Sequence, residues 1–254
     1  MRIGVTRLGA GPDLVMVHGW GMNRHVWEPV ASALAAHFRL HLLDLPGHGA
    51  SDWDAAQPYS LDALVEALLS EAPSRANWLG WSLGGLVATQ MAWRHPERVS
   101  RLLQVASSPC FVARDGWPGL QPEVLAGFHR QLEQNSVRTL ERFLAIQAMG
   151  SETVKEDARR LKALLTAAPL PQAAALAGGL DLLQHTDQRT LWSELTLPCV
   201  RLYGRLDSLV PHAAIPLITA LRPDSGCHLF AKASHAPFLS HPEAFVAQIV
   251  QAIG

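Results

Sequence analysis

The feature that most restricts the fold is a serine between a short apolar run and a helix-forming segment. Trp78-Leu79 leads into Gly80-Trp81-Ser82-Leu83-Gly84, which fits the pattern G-x-S-x-G, and good helix formers follow in residues 83–93. The pattern predicts a tight strand-to-helix turn that presents Ser82 at the N-terminus of a helix, where developing negative charge is stabilised. Ser82 is therefore a candidate nucleophile.

Short apolar runs alternate with helical patterns on both sides of this turn. The runs lie at residues 14–17, 40–43, 102–106, 199–203 and 227–230. Helical periodicity is clearest at residues 61–69, and a further helical segment, residues 245–253, closes the chain. Short continuous apolar runs are typical of strands that are buried on both faces. The alternation predicts an α/β fold with a mostly parallel central sheet and helices on both faces.

The alternation stops in the middle of the chain. No strand pattern is present from about Trp117 to Leu195, and helical patterns lie at residues 124–132, 137–148, 153–165 and 173–183. Because strand patterns resume afterwards, we predict an all-helical lid, residues 113–190, inserted into a core formed by residues 1–112 and 191–254. A separate helical domain is the alternative.

The composition argues against several other classes of protein. Hydrophobic residues make up 48% of the chain and charged residues 17%, which favours a sizeable core over disorder. The net charge of −1 gives no global attraction to nucleic acid or to an anionic membrane. The three cysteines form no CxxC or Cys/His cluster, and we find no signal peptide, membrane span or cofactor loop. We expect a cytoplasmic monomer without metal or cofactor.

A serine nucleophile needs a base, and the base needs an orienting carboxylate. With a turn of this kind the chain order is serine, acid, histidine. His235 follows the last predicted strand by a few residues, and Asp207 follows the strand at residues 199–203 by a short loop. Both positions are at the carboxyl edge of the sheet, where Ser82 is expected. Asp224 is the competing acid, but it precedes the last strand and therefore belongs to the opposite edge.

We interpret the other residues near these motifs as structural. His241 reads as a surface or capping residue, and His212 and His228 read as structural. The segment Asp44–Ser51 is predicted to be a structural turn.

An oxyanion hole requires two backbone N–H donors. One is predicted to be the N–H of Leu83, next after the nucleophile. The second is predicted at Trp20, in the loop His18-Gly19-Trp20-Gly21 that follows the strand at residues 14–17. An ordinary turn at the end of that strand is the alternative.

These motifs also resemble a known family. His18–Gly21, Asp44–Gly47, Gly80–Ala88 and His95–Val99 are similar to α/β-hydrolases in general. The segments 105–111, 142–145, 147–150 and 230–238 are more specific and resemble the family of pimeloyl-acyl-carrier-protein methyl ester esterases, over nearly the whole chain. The resemblance implies the α/β-hydrolase fold. It also implies removal of the methyl group from a pimeloyl ester carried on acyl-carrier protein, a step of biotin synthesis.

The resemblance implies roles for particular residues. The triad falls on Ser82, Asp207 and His235. The implied substrate contacts are Trp20, Ser82, Leu83, Phe143, Leu144, Ala145, Ile146, Gln147 and His235. We expect Phe143 and Ile146 to line an acyl channel. Ordinary packing is the interpretation we favour for Phe128 and Leu140.

The implied contacts to acyl-carrier protein are Arg138, Arg142, Lys155 and Arg159. Lys155 departs from the arginine that the family pattern has there, which keeps the charge but loses bidentate recognition of an anion. The cations form two pairs, each four residues apart on a predicted helix, where like charges repel by a few tenths of a kcal/mol. An anionic partner would relieve this repulsion. The alternative is a solvated helix face, because four acids lie nearby: Glu141, Glu152, Glu156 and Asp157.

Two rival functions stay open at this point. The first is a general carboxylesterase, lipase or thioesterase with the same triad. The second is a binding protein that has kept a hydrolase scaffold without turnover.

Overall fold

A central seven-stranded sheet organises the computed structural model, which describes residues 1–254. Its strands are β1 (Val5–Leu8), β2 (Asp13–Val17), β3 (Arg39–Leu43), β4 (Ala76–Trp81), β5 (Val99–Val105), β6 (Cys199–Gly204) and β7 (Gly226–Phe230). Their order is β1-β3-β2-β4-β5-β6-β7. Strand β1 pairs antiparallel with β3, and all other neighbours are parallel.

Eleven helices accompany the sheet. They are α1 (Glu28–Ala35), α2 (Leu61–Leu69), α3 (Leu83–Arg94), α4 (Pro122–Gln134), α5 (Ser136–Ala148), α6 (Val154–Leu165), α7 (Ala173–His185), α8 (Arg189–Glu194), α9 (Ala214–Leu221), α10 (Pro237–Ser240) and α11 (Pro242–Ile253). All six residues of β4 are buried, and successive side chains of a strand point to opposite faces, so both faces of the sheet are covered. The predicted fold is confirmed. No helix has the length and apolar character needed to cross a membrane.

Residues 113–190, called here the helical insertion, lie between β5 and β6. They contain α4 to α7, and their predicted end at residue 190 falls inside α8. The side-chain amide of Asn23, in the loop after β2, donates a hydrogen bond to the carbonyl of Leu165 (3.0 Å). The N–H of Gln172 donates to the carbonyl of Gly47, in the loop after β3 (2.8 Å). Both loops leave the carboxyl ends of parallel strands, so the helical insertion sits over that edge of the sheet.

The segment Asp44–Ser51 forms a tightly bonded turn. The buried carboxylate of Asp44 accepts hydrogen bonds from the backbone N–H groups of Arg24 (2.6 Å) and Ala50 (2.9 Å), and it pairs with the Arg24 guanidinium. Its backbone carbonyl accepts from the hydroxyl of Ser51 (2.8 Å). Both carboxylate oxygens of Asp44 are thus used to hold this turn and to fasten it to Arg24 in the loop after β2, as expected for a structural role.

Candidate active site

Ser82 occupies a strained position between β4 and α3. Its backbone has φ +54° and ψ −119°, a left-handed region that residues with a Cβ rarely adopt. The strain is held by β5 and its following loop. The N–H of Ser82 donates to the carbonyl of Val105 (2.9 Å), and the hydroxyl of Ser107 donates to the carbonyl of Ser82 (2.9 Å). The turn therefore presents the Ser82 hydroxyl in a fixed direction.

The two glycines of the motif are required by close approach of backbone. A Cβ at Gly80 would collide with the carbonyl of Gly84, and a Cβ at Gly84 would collide with the carbonyls of Val17 and His18. Backbone cannot yield as a flexible side chain can. The G-x-S-x-G spacing thus allows α3 to start directly against β2 and β4.

His235 and Asp207 form a buried hydrogen-bonded pair. The ring Nδ1 of His235 donates to Oδ2 of Asp207 (2.8 Å), and neither side chain is exposed to solvent. The other carboxylate oxygen of Asp207 accepts from the backbone N–H groups of Leu209 (2.8 Å) and Val210 (3.1 Å). Because an ionised carboxylate only accepts hydrogen bonds, Nδ1 is the donor of this pair, and in the neutral ring the lone pair is then on Nε2. That Nε2 is buried and has no partner, so it is free to accept a proton.

The residue before the nucleophile holds the histidine in place. The indole N–H of Trp81 donates to the backbone carbonyl of His235 (2.8 Å), and the two rings pack at 5.6 Å between centroids. This contact brings the predicted base to the nucleophile turn. Asp224, the competing acid, is 71% exposed and paired with Arg222 (3.3 Å), so it takes no part in this arrangement.

The loop after β2 runs directly against the serine. A Cβ at Gly19 would lie 3.1 Å from Cβ of Ser82. A Cβ at Gly179 of α7 would lie 2.6 Å from Cδ1 of Trp20 and 3.3 Å from Cδ2 of Leu83, so the two predicted oxyanion residues share one neighbour. The N–H of Leu83 lies at the first position of α3, where a helix leaves its N–H groups without intrahelical acceptors.

The helical insertion supplies aromatic contacts to this loop. Phe143 packs edge-on against Trp20 at 4.6 Å between centroids, and the Trp20 indole N–H donates to the carbonyl of Leu176 in α7 (2.8 Å). Phe128 packs behind Phe143 at 5.4 Å, and Leu140 is buried with it. Both side chains therefore lie in the packed interior of the helical insertion.

The predicted substrate contacts on α5, residues 143–147, do not all lie on the buried side of that helix. Phe143, Leu144 and Gln147 are buried, Ile146 is half-buried and Ala145 is exposed.

The site is closed in this structure. Ser82 is only 2% exposed, and Trp20, Leu83 and His235 are fully buried. Cavities of about 750 Å³ and 640 Å³ lie elsewhere, beside Trp53 and between α4 and α5. The Ser82 side chain is therefore almost completely shielded from solvent in this structure. No group of three or more His, Cys, Asp or Glu side chains is arranged to hold a metal ion.

Two further residues take part in holding the site, and neither was predicted from the sequence. Ser107 bonds to the backbone of Ser82, and Ser234 bonds to the helical insertion next to His235. The only signal in the sequence is that Ser234 directly precedes His235. Ser107 lies 25 residues from Ser82 and carries no such signal, and the partner of each hydroxyl is a backbone carbonyl.

Because two histidines beside the site are buried, we expect the folded protein to lose stability in acid. Burial lowers the pKa of His18 from its ordinary value of 6.5 to about 4. Burial also lowers the pKa of His48 to about 3, and the nearby His18 ring adds to that shift. Between pH 6.5 and pH 4 the unfolded chain binds protons that the folded chain excludes, so stability is full above pH 6.5 and falls as the pH drops. For His18 alone the loss is about 3 kcal/mol at pH 4.

Thermal unfolding measured at pH 7.5 and pH 4.5 tests this expectation. The Tm should be lower at pH 4.5, and the decrease should be smaller in His48→Gln, which removes one of the two groups. An equal Tm at both pH values would contradict the prediction.

Fold and site together define a class of protein. A parallel sheet, a strained serine at a strand-to-helix turn, and a buried acid–histidine pair at the same sheet edge are the features of an α/β-hydrolase with a serine nucleophile. The family model described as alpha/beta hydrolase fold matches residues 12–242. An esterase from Exiguobacterium antarcticum superposes with a TM-score of 0.88 at 23% identity, covering 99% of this chain and 95% of that one. The enol-lactonase from Burkholderia xenovorans superposes with a TM-score of 0.86 at 20% identity, covering 99% and 96%. These likenesses show the fold alone.

Curated relatives are much more similar. The pimeloyl-[acyl-carrier protein] methyl ester esterase of Aeromonas hydrophila is 52% identical over 254 residues, which is 100% of both chains. The enzyme of the same name from Klebsiella pneumoniae is 55% identical over 232 residues, covering 91% of this chain and 90% of its own. The chain belongs to the α/β-hydrolase family and, within it, to the family of these methyl ester esterases.

Proposed function

We propose that this protein is a serine carboxylesterase that hydrolyses the methyl ester of pimeloyl-acyl-carrier protein to pimeloyl-acyl-carrier protein and methanol, in biotin synthesis. The chemistry is supported by the buried Asp207–His235 pair beside the strained Ser82. The substrate is supported by relatives of that name, which are 52% and 55% identical over nearly their full lengths.

Each predicted site residue then has a chemical task. The Ser82 oxygen attacks the ester carbonyl carbon while Nε2 of His235 takes the hydroxyl proton, and Asp207 stabilises the imidazolium that results. The backbone N–H groups of Trp20 and Leu83 hold the oxyanion. The carbon–oxygen bond to the methoxy group breaks, and methanol leaves with the proton from His235.

The acyl-enzyme is then hydrolysed by the same groups, with water as the nucleophile and the Ser82 oxygen as the leaving group. A water molecule gives a proton to His235 and attacks the acyl carbon. The bond to the serine oxygen breaks, the serine regains its proton, and the free carboxylic acid is released.

The helical insertion acts as a lid in this proposal. Phe143, Leu144, Ile146 and Gln147 contact the acyl chain near Trp20. Ala145 is exposed, so it contacts the substrate only at the entrance. Because the closed site excludes water, the oxyanion donors act in surroundings of low polarity, where they are stronger.

The acids near the predicted carrier-binding cations are engaged elsewhere. They pair with other cations, or hydrogen-bond within the helical insertion, as follows: Glu141 with Lys162 (2.7 Å), Glu152 with Lys232 (3.0 Å), Glu156 with Arg160 (2.6 Å), and Asp157 with Ser151 (2.6 Å). No ion pair involves Arg138, Arg142, Lys155 or Arg159, and all four are exposed. This surface therefore carries uncompensated positive charge. This charge favours binding of an acidic carrier protein. It is not what we would expect of a solvated helix face whose cations are neutralised by its own acids.

Neutralising two of these cations tests the proposed substrate. In the double variant Arg138→Gln/Arg142→Gln, kcat/KM for pimeloyl-carrier-protein methyl ester is expected to fall about tenfold, mainly through KM, since each exposed pair with the carrier contributes up to about 1 kcal/mol. Hydrolysis of nitrophenyl acetate, which has no carrier, should change little.

The matched control neutralises two exposed cations at the opposite edge of the sheet, Arg39 at the start of β3 and Arg75 just before β4. Arg39→Gln/Arg75→Gln removes the same charge but leaves the four unpaired cations, and the acids near them, unchanged. An equal loss in this control would contradict a specific carrier surface. A rate on the carrier-linked ester no higher than on free methyl esters would favour a general carboxylesterase.

We also propose that the protein acts in the cytoplasm as a monomer. Cys110, Cys199 and Cys227 are all unpaired, as in a reducing compartment. The edge strand β1 presents the exposed polar residues Thr6 and Arg7, which discourage pairing with a second sheet.

A further inference from the structure

The C-terminal turn of α5, residues 146–150, is bonded to the loop that carries His235. The buried hydroxyl of Ser234 donates to the carbonyl of Met149 (2.6 Å) and lies 3.2 Å from the carbonyl of Gln147. The N–H of His235 makes a long hydrogen bond to the same Gln147 carbonyl (3.4 Å). One serine hydroxyl thus supplies the shortest link between the helical insertion and the histidine loop.

The same turn also rests on the loop that carries Asp207. Gly150 has φ +92°, and a Cβ there would lie 2.6 Å from the carbonyl of Leu206. The hydroxyl of Ser208 lies 3.5 Å from the carbonyl of Ile146. The end of α5 is therefore wedged between the acid loop and the histidine loop.

We propose that Ser234 is a positioning residue that acts through His235. By fastening the turn at residues 146–150 to the histidine loop, it sets where the His235 ring stands relative to Ser82. It also joins the base to α5, whose Phe143 packs on Trp20. The inference rests on the proposed function only in taking His235 as the base.

Without the Ser234 hydroxyl, the histidine loop keeps only the long hydrogen bond from the His235 N–H to the Gln147 carbonyl (3.4 Å). The histidine loop and the end of α5 then separate more easily, and the ring is aligned with Ser82 for less of the time. Misplacement of a catalytic group by about 1 Å costs up to about 100-fold in rate. Substrate binding is shared among many contacts, of which Ile146 and Gln147 alone lie on this turn, so the loss falls mainly on kcat rather than on KM.

The test is Ser234→Ala, assayed with nitrophenyl butyrate and with a fluorophosphonate that labels Ser82. We expect kcat to fall about 10- to 100-fold with KM changed less than about twofold. The labelling rate should fall by a similar factor, because it reports activation of the serine. Ser234→Thr keeps the hydroxyl and should restore most of kcat.

Ser225→Ala is the matched control. Its buried hydroxyl also donates to a backbone carbonyl, that of Arg222 (2.6 Å), but it lies before β7, at the opposite edge of the sheet. Both alanine variants should lower Tm by a few degrees. Only Ser234→Ala should lower kcat. A wild-type kcat in Ser234→Ala, or an equal loss in Ser225→Ala, would overturn the proposal.

A second variant disturbs the same turn from the side of the Asp207 loop. Gly150→Ala should push the turn away from the Leu206 carbonyl, weaken the hydrogen bond between Ser234 and Met149, and lower kcat in the same way, which keeps the proposal testable if Ser234→Ala does not fold. In the double variant the two losses should not add, because both loosen the attachment of one turn. Full additivity would overturn the proposal. Full activity of His235→Ala would instead refute the proposed function, whatever Ser234→Ala does.

Discussion

Replacement of Ser82 by alanine is expected to lower kcat for ester hydrolysis by about a millionfold, to the residual rate that binding and the oxyanion donors provide. The hydroxyl is the only group at the strand-to-helix turn that can form the acyl-enzyme. Alanine tolerates the φ of +54° no worse than serine does, because both carry a Cβ, so the fold should be retained. Steady-state hydrolysis of nitrophenyl butyrate, with Tm as the measure of folding, checks this result.

The control for Ser82→Ala is Ser193→Ala, an exposed serine on α8. It should keep wild-type kcat and wild-type labelling by a fluorophosphonate. Persistent labelling or substantial turnover in Ser82→Ala would show that another residue is the nucleophile.

Replacement of Asp207 by asparagine should cost about 10⁴-fold in kcat. The asparagine oxygen can still accept from the N–H groups of Leu209 and Val210, so the loop keeps its shape. Its amide NH₂ would then face Nδ1 of His235, and that nitrogen would have to become an acceptor. The proton would move to Nε2, which could no longer take the proton of Ser82. The measurement is kcat across pH, with Tm near that of the wild type.

Asp224→Asn provides the comparison for this change. Asp224 is exposed and paired with Arg222 at the opposite sheet edge, so its amide variant should have wild-type kcat. A reversed outcome, with activity lost in Asp224→Asn and kept in Asp207→Asn, would show that the acid has been assigned to the wrong residue.

The central part of the sheet was predictable because its strands are short, apolar and buried on both faces. Strand β1 was not predicted. Its end residues Val5 and Leu8 are half-buried while Thr6 and Arg7 are exposed, so it shows neither alternation nor a continuous apolar run. Helix α9 was also not predicted, because residues 214–221 are apolar almost throughout and therefore carry no helical period.

The positions of Ser82, Asp207 and His235 followed from chain order and from the shared edge of parallel strands. The bonds between the helical insertion and the loops could not be predicted in the same way. The Trp20 indole bonds to a carbonyl of α7 and the Ser234 hydroxyl to one at the end of α5, and every residue of a helix offers such a carbonyl. Only the packing of helices over the sheet selects which one is used.

The ion pairs on the helical insertion were likewise not predictable from the sequence. From sequence spacing alone, Glu141 or Glu156 could neutralise the predicted carrier-binding cations. In the structure Glu141 reaches across to Lys162 on α6, and Glu156 pairs with Arg160 one turn further along its own helix. The packing of α5 against α6 therefore decides which cations stay free for a partner.

Incubation of the purified protein with pimeloyl-acyl-carrier-protein methyl ester, followed by mass spectrometry of the carrier and detection of methanol, tests the proposed substrate and the nucleophile together. We expect complete conversion to the free acid by the wild type and none by Ser82→Ala. Failure of the wild type to convert this ester, while it hydrolyses short nitrophenyl esters, would contradict the assigned substrate.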